Sequence, residues 1–429
     1  MQGKDTRLVD EAGTVERARV FQALAGRIKM TDGLCEAEAA KIGEKLLSET
    51  EGSARDLVAW RRYFHQFPEA GLDEHLTSAR IGSILSSMPG MEVIKGFGID
   101  TCVIGRVGGG LGGGSLAFRT EMDAVEVRED TGLPFSSNAD HLSHAQGHDA
   151  HMASLLGTAQ LLSDHRDELK RPVVFIFQPA DEGKGGSRYL IEAGVQKKYN
   201  IEKMLCIHWV PYLPYGQIFT NNGGVTAFTN KLHIGLAGQG GHGATPHLAS
   251  DTLYLSSLMQ VSLQSVLTRE VDPQKTAVLS FGRIEAAEVY NVIAEEVDLW
   301  GTLRTTDRET HRFLKKRIED VVRAMAHAAH VSASVEYTLD YGQVMNDGDL
   351  VSDIFRIGTA LTGSDGMCRL EHPLLMGEDF CYYAERIPSC MMFLGTGMEY
   401  GLYHTRYDIP ENLLPFASAW GAYLAMFLK

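Results

Sequence analysis

Apolar residues change period along this chain, and the changes mark out its parts. Short apolar runs at 115–122, 173–178, 203–210 and 391–396 read as strands, and between them lie stretches of helical period. The segment 149–164 carries Met152, Leu155, Leu156, Ala159 and Leu162 on one helical face. Strand and helix in alternation imply an α/β fold with a mainly parallel sheet flanked by helices. Residues 230–340 read differently: strand 232–237, helix 251–268, strands 277–284 and 296–304, helix 307–329, strand 332–340. That order, βαββαβ, is a ferredoxin-like module inserted into the larger domain. The first ~50 residues are helical and amphipathic by pattern, with Val20, Leu24 and Ile28 at helical spacing. The expected organisation is an N-terminal extension over 1–54, a catalytic domain over 55–225 and 342–429, and the insertion over 226–341.

Length agrees with more than one domain, since 429 residues exceed one ordinary core. A formal charge of −15 argues against nucleic acid or an anionic membrane surface as partner. No run approaches the ~20 apolar residues of a membrane helix, and the first residues lack the apolar core of a signal peptide. A cytoplasmic protein is therefore expected, and six cysteines without CxxC spacing read as reduced, packed thiols. The glycine run 108–114 is followed by no Gly-Lys-Ser/Thr and enters a strand. A flexible hairpin between two strands explains it better than a phosphate loop.

The chemistry concentrates in His144-Ala-Gln146-Gly-His148-Asp149-Ala-His151 and in Pro179-Ala-Asp181-Glu182-Gly183. In an α/β sheet, ligands gather beyond the carboxyl ends of strands. His148, Glu182, His208 and His404 all fall at such positions, and three imidazoles with one carboxylate suit Zn, Mn, Co or Ni. Any single one of the 16 histidines is better read as a surface or core residue. Four together at strand ends reverse that judgement. Asp181, beside Glu182, is the natural general base; its bland alternative is a solvated acidic turn. Asp123 either orients a ligand histidine or caps a strand end.

The order of motifs also carries a resemblance. It runs Trp60-Arg-Arg-Tyr-Phe-His-Gln-Phe-Pro-Glu-Ala-Gly71, Met122-Asp-Ala, Gly147-His-Asp-Ala-His151 and Gln178-Pro-Ala-Asp-Glu-Gly183. It continues with Ile207-His208, Gly240-Gly-His-Gly-Ala-Thr-Pro-His247, Asn291-Val-Ile, Gly301-Thr-Leu-Arg304, Gly377-Glu-Asp-Phe380 and His404. From about residue 55 onward the chain resembles the aminoacylase, hippurate hydrolase and auxin-conjugate hydrolase branch of the metallopeptidases. The resemblance implies a metal-bearing domain with an inserted lid that also mediates dimerisation, so a homodimer or higher homo-oligomer is expected. It places His148, Glu182, His208 and His404 on ligand positions. It gives His242 contact with substrate across the dimer, stabilising negative charge. Asn291 and Arg304 hold or frame the substrate, with a structural role for Arg304 as the alternative.

Three residues depart from that pattern: Gln146 replaces a metal-bridging cysteine, Asp181 stands for the usual Glu, and Glu121 for the usual Asp. A neutral amide cannot bridge two cations as a thiolate does. One divalent metal (Mn, Zn or Co) per site is expected, held by Glu182 with His404 or by His148 with His208. With a shorter base, the departures resemble the branch that acts on 5-nitroanthranilate. The leading expectation is hydrolytic deamination to 5-nitrosalicylate and ammonia: metal-activated water, relieved of its proton by Asp181, adds to the ring carbon. The alternative is hydrolysis of N-acyl or N-aroyl amino acids. A lapsed protein that only binds a small carboxylate is the third.

Overall fold

The computed structural model describes residues 36–429; Val20, Leu24, Ile28 and Cys35 lie outside the described residues. The described chain divides into two compact units, 36–223 with 346–370 and 383–429, and 224–345 with 371–382. The expected insertion, 226–341, lies within the second unit. Residues 371–382, which the sequence pattern leaves with the catalytic domain, cluster with it too.

The first unit opens with helices α1 (Glu36–Gly52), α2 (Ala54–Gln66) and α3 (His75–Ser86). Strands β1 (Glu92–Lys95), β2 (Val103–Val107) and β3 (Ser115–Glu121) precede α4 (His148–Asp164) and β4 (Val173–Gln178). Then come α5 (Gly186–Glu192), α6 (Val195–Tyr199), β5 (Ile201–Val210) and β6 (Ile218–Thr220). The second unit contributes β7 (Phe228–Ala237), β8 (Gly241–His242), α7 (Thr252–Arg269), β9 (Ala277–Glu285) and β10 (Val292–Ile293). It continues with β11 (Glu296–Thr305), α8 (Arg308–Ala328) and β12 (Ser332–Tyr341). The chain returns to the first unit with α9 (Gly348–Thr362), β13 (Met367–Arg369), β14 (Ser389–Gly395) and α10 (Leu414–Phe427).

One sheet organises the first unit, in the order β1-β2-β4-β3-β5-β14-β6-β13. Its centre, β4-β3-β5-β14, is parallel, whereas β1-β2, β2-β4 and β14-β6 are antiparallel. The β6-β13 pair is parallel too, so the sheet is mixed, with four of its seven pairings parallel; the expected parallel strands form its centre, and the antiparallel pairings are what the expectation lacked. Parallel strands buried on both faces produce continuous apolar runs, and every residue of β3, β4 and β14 is buried. Those runs dominate the sequence pattern; the short antiparallel edges do not. The glycine run is likewise no hairpin, because β4 lies between β2 and β3. It carries the chain across a strand, with Gly113 at φ 90°.

Helix α4 is buried on almost every side, not on the single face the pattern suggests. It packs against α2 and the apolar helix α10. A Cβ on Gly157 would lie 2.2 Å from Ser418 Oγ, so glycine permits that crossing. Ser418 Oγ and Thr158 Oγ1 donate to the carbonyls of Ser154 and Ser418, at 3.1 and 3.0 Å. No described helix is long and apolar enough to cross a membrane. None of the five described cysteines forms a disulfide with another described residue.

The second unit runs strand, helix, strand, strand, helix, strand around a four-stranded antiparallel sheet ordered β9-β11-β7-β12. Leu314, Ile318, Val322 and Ala326 recur every fourth residue on α8, forming its buried stripe. They pack with Leu232, Ile234, Met259, Leu263 and Leu299 into a separate core. Asp251 and Asp307 cap α7 and α8, each accepting a backbone N–H at 2.9 Å.

Candidate metal centre

Asp123, just past the end of β3, organises the site with every acceptor it has. Its carbonyl accepts from Gln146 Nε2 and from His148 Nδ1, both at 2.9 Å. That bond ties up the Nδ1 proton of His148, so Nε2 is the nitrogen that can offer a lone pair once a cation displaces its proton. Its carboxylate accepts the backbone N–H groups of Asp181 at 3.2 Å and Glu182 at 2.8 Å. The preceding N–H, that of Ala180, donates to Glu74 Oε1 at 2.8 Å, and Thr101 Oγ1 holds the other oxygen of Glu74 at 2.9 Å. Two buried carboxylates thus fix three consecutive amides of the acidic turn. Ala180 sits at φ 61° there, an αL conformation that a non-glycine residue keeps only under such restraint. The turn is positioned, not merely solvated.

His148 begins α4 immediately after Gly147, whose φ is 92°. A side chain there would be strained, and its Cβ would lie 2.8 Å from Tyr407 Oη. Ligand atoms of His148, Asp181 and Glu182 all lie within 4.8 Å of one another. Burial would lower the His148 pKa, but its bond to Asp123 and the charges of Glu121, Asp123 and Asp181 raise it to about 9. Burial and then Asp181 push Glu182 up to about 8. Two carboxyl groups thus crowd one imidazole, and a cation relieves the repulsion between them. Gln146 Oε1 adds a neutral acceptor: it is buried without a hydrogen-bond partner among the described residues. With its Nε2 tied to the Asp123 carbonyl, the amide cannot turn round without setting two oxygens face to face. These nitrogen and oxygen donors fit a divalent cation.

A second group lies beside the first. Glu121 accepts from His151 Nδ1 at 2.9 Å and from His208 Nε2 at 2.8 Å, and is paired with Arg119 Nη1. Cys206 Sγ is 3.8 Å from the same carboxylate. Burial alone would raise the Glu121 pKa; Arg119 and His208 overcome it and hold the carboxyl well below its usual range. His151 accepts from the Trp209 N–H at 3.0 Å, so both its nitrogens are used. Arg119 also reaches Gln178 Oε1 and Asp181 Oδ1, each at 3.0 Å. Ligand atoms of Glu121, Cys206 and His208 fall within 4.8 Å of one another, as do those of Glu121, His148 and His151. Here the carboxylate already has its counter-charges.

His404 is exposed, stacked 4.5 Å from the Tyr400 ring, with Nδ1 accepting from Arg406 N at 3.0 Å. Among the described residues it joins no group of three donors within 4.8 Å. Its neighbour Tyr403 instead reaches Glu182 Oε1 at 2.7 Å. In the second unit, His242 and Asn291 come together through the β8-β10 ribbon, where Val292 pairs with His242 and Gly243 N donates to Asn291 O at 2.8 Å. Arg304 Nη1 donates to the Leu375 carbonyl at 2.6 Å. Sequence reasoning missed Glu74, Arg119 and Tyr403 as site residues. An arginine directly after the apolar run Leu116-Ala-Phe118 of a strand was the available signal for Arg119; Glu74 and Tyr403 gave none.

Behind α4, Arg61 pairs with Asp149 and Asp408, each at 2.7 Å, and with Glu411 at 3.2 Å. His65 bridges Asp149 at 2.8 Å and Glu129 at 3.2 Å. Asp149, one residue past His148, thus anchors the start of α4 to α2 and takes no place in the cation site.

Comparison with known proteins agrees with this geometry. Residues 117–425 match Peptidase family M20/M25/M40, and the chain belongs to that family. It is 36% identical over 362 residues to the N-acetyldiaminopimelate deacetylase of Halalkalibacterium halodurans, covering 84% of this chain and 96% of that one. The Bacillus subtilis N-acetyldiaminopimelate deacetylase is 35% identical over 370 residues, with 84% and 96% covered. Among solved structures, the Bacillus subtilis YXEP protein, a dinuclear metal binding peptidase from the M20 family, superposes with a TM-score of 0.72. It is 29% identical, and the match covers 88% of this chain and 98% of that one. The chain is a metal-dependent hydrolase acting on C–N bonds, and its metal is divalent. The deacetylases favour the N-acyl amino-acid alternative and lend no support to 5-nitroanthranilate.

Proposed function

We propose that this protein is an amidohydrolase that cleaves the acyl group from an N-acyl amino acid, using one divalent cation (Mn, Zn or Co) per site. The observation that carries this reading is the His148–Asp181–Glu182 group, with two carboxyl groups crowded on one imidazole and its acidic turn fixed by Asp123. When bound, the cation supplies Lewis acidity and lowers the pKa of a water. The protein does the rest. Asp181, with Oδ1 held by Arg119, takes the proton from the attacking water and passes it to the leaving nitrogen. The amides of residues 180–182 keep that carboxylate from swinging away. His242 and Asn291, on one ribbon, bind the substrate or its developing negative charge, and Arg304 frames them. Leu253, Tyr254, Leu258 and Val261 are exposed on α7, which supports dimerisation through the inserted unit, expected to act as the lid.

One cation per site follows from the chemistry of Gln146, since a neutral amide oxygen is a poor bridge. The same residue keeps a second reading in view, hydrolytic deamination of 5-nitroanthranilate, because the bridging thiolate of ordinary amide hydrolases is missing here. A direct test supplies purified enzyme and Mn with an N-acetyl or N-benzoyl amino acid and, separately, with 5-nitroanthranilate. Release of the carboxylic acid from the acyl substrates supports the amidohydrolase. Ammonia from the nitroaromatic alone would sink it and establish the second reading.

A further inference from the structure

We propose that Tyr403 is a positioning residue for the cation site: its phenol holds one oxygen of Glu182 and turns the other toward the metal. The idea rests on Glu182 being a metal ligand, as read above. The phenol donates to Glu182 Oε1 at 2.7 Å, while the backbone of Glu182 is fixed by Asp123 at 2.8 Å. Head and root of this side chain are therefore both held. A carboxylate can offer a metal one oxygen or two; a donor fixed on one oxygen selects the one-oxygen mode and the direction of its lone pair.

Packing does not explain the tyrosine. Its side chain is 51% exposed, so little apolar burial holds it in place. Its backbone lies at φ 62°, a left-handed conformation that strains a bulky residue. The loop is nevertheless pinned there: Tyr403 N donates to Ala145 O at 2.8 Å, Asp130 N to Thr405 O at 2.7 Å and Tyr407 N to His404 O at 2.9 Å. Ala145 adjoins Gln146, so the loop bearing the phenol is tied to the segment bearing the neutral acceptor. Strain kept at a residue that buries little points to the contact its side chain makes.

The test is calorimetric titration of Mn(II) into chelator-stripped Tyr403→Phe and wild type, with the melting temperature of each stripped protein. The expected result is Mn(II) affinity lower by about 10-fold or more, with unchanged melting temperature before metal is added. Equal or tighter Mn(II) binding overturns the proposal, and so does a lower melting temperature without loss of affinity. Glu182→Gln, titrated alongside, separates the two layers. Loss of binding there with none in Tyr403→Phe overturns the role of the phenol alone. Undiminished binding in both overturns the ligand assignment and the proposal with it.

Discussion

Two buried donor groups meet at His148, and their charge balance is opposite. Around Glu121, one carboxylate is surrounded by Arg119, His151 and His208, and its pKa falls. Around Glu182, several carboxylates share one imidazole, and the pKa of Glu182 rises to about 8. The first carboxylate has counter-charges within its own group; Glu182 has a second carboxylate beside it instead. One methylene makes much of that difference, because Glu121 reaches His208 Nε2 from a position where aspartate would stop short. Residue types alone make His208 and Glu182 equivalent candidates. Their partners set them apart: His208 donates to Glu121, whereas Glu182 has its ligand atoms within 4.8 Å of those of His148 and Asp181.

The sharpest way to break this contrast is Asp181→Asn. An amide cannot accept the proton, so turnover at saturating Mn(II) should fall by about 10²–10⁴-fold, and Mn(II) binding by calorimetry should weaken as well, since Asp181 is one of the two carboxylates of the group. Retained turnover would move the base elsewhere. On the other side, Glu121→Gln leaves Arg119 buried without its principal counter-charge. A loss of about 3–5 kcal/mol is expected in denaturant unfolding of the stripped protein. A loss below 1 kcal/mol would show that the Glu121 group is not neutralised from within. Glu182→Gln, by contrast, should leave the stripped protein no less stable, since it removes a carboxylate from a crowded site.

How much of this was legible beforehand follows from the range of each interaction. The central strands and α8 were readable because burial on both faces, or on one stripe, writes a local period. The antiparallel edges were not, because strand direction is decided by neighbours far away in sequence; the glycine run crossing β4 shows this. His148, Asp181 and Glu182 announced themselves as a dense motif. Glu74 did not: its bond to Ala180 N spans 106 residues and is carried by an ordinary glutamate before a helix. Asp123 was suspected of orienting a histidine, and its backbone carbonyl makes that bond, a contact no side-chain pattern encodes. Tyr403 was invisible because its contact depends on a φ of 62°.

A smaller effect, and one that refines the contrast instead of breaking it, is expected from Gln146→Cys. The amide oxygen of Gln146 is buried and uncharged beside both groups. A thiolate in its place adds the bridging anion that the Glu121 side cannot spare. Bound metal should rise from one per chain toward two, measured by elemental analysis after dialysis. Glu121→Asp added to this variant should raise it further, by releasing His208. Unchanged stoichiometry in the double variant would mean that geometry, not the missing thiolate, limits the site to one cation.

The gentlest probe lies behind both groups, at His65. Burial would lower its pKa, but hydrogen bonds and charge from Asp149 and then Glu129 raise it to about 9. A histidine whose folded pKa exceeds its unfolded value near 6.5 stabilises the fold fully below 6.5 and loses that contribution as pH rises through 9. The unfolding free energy should therefore decline across pH 6.5–9, by at most about 1.4 kcal/mol per pH unit from this residue. Glu129 behaves oppositely. Burial opposes the shift, yet His65 and Thr131 hold its pKa near about 2, so its contribution persists above 4.5 and fades only as pH falls toward 2. His65→Gln should flatten the alkaline decline and leave Mn(II) affinity unaltered, because Asp149 anchors α4 through Arg61 as well. If metal affinity instead follows the loss of His65, the network behind α4 and the cation site are one cooperative unit.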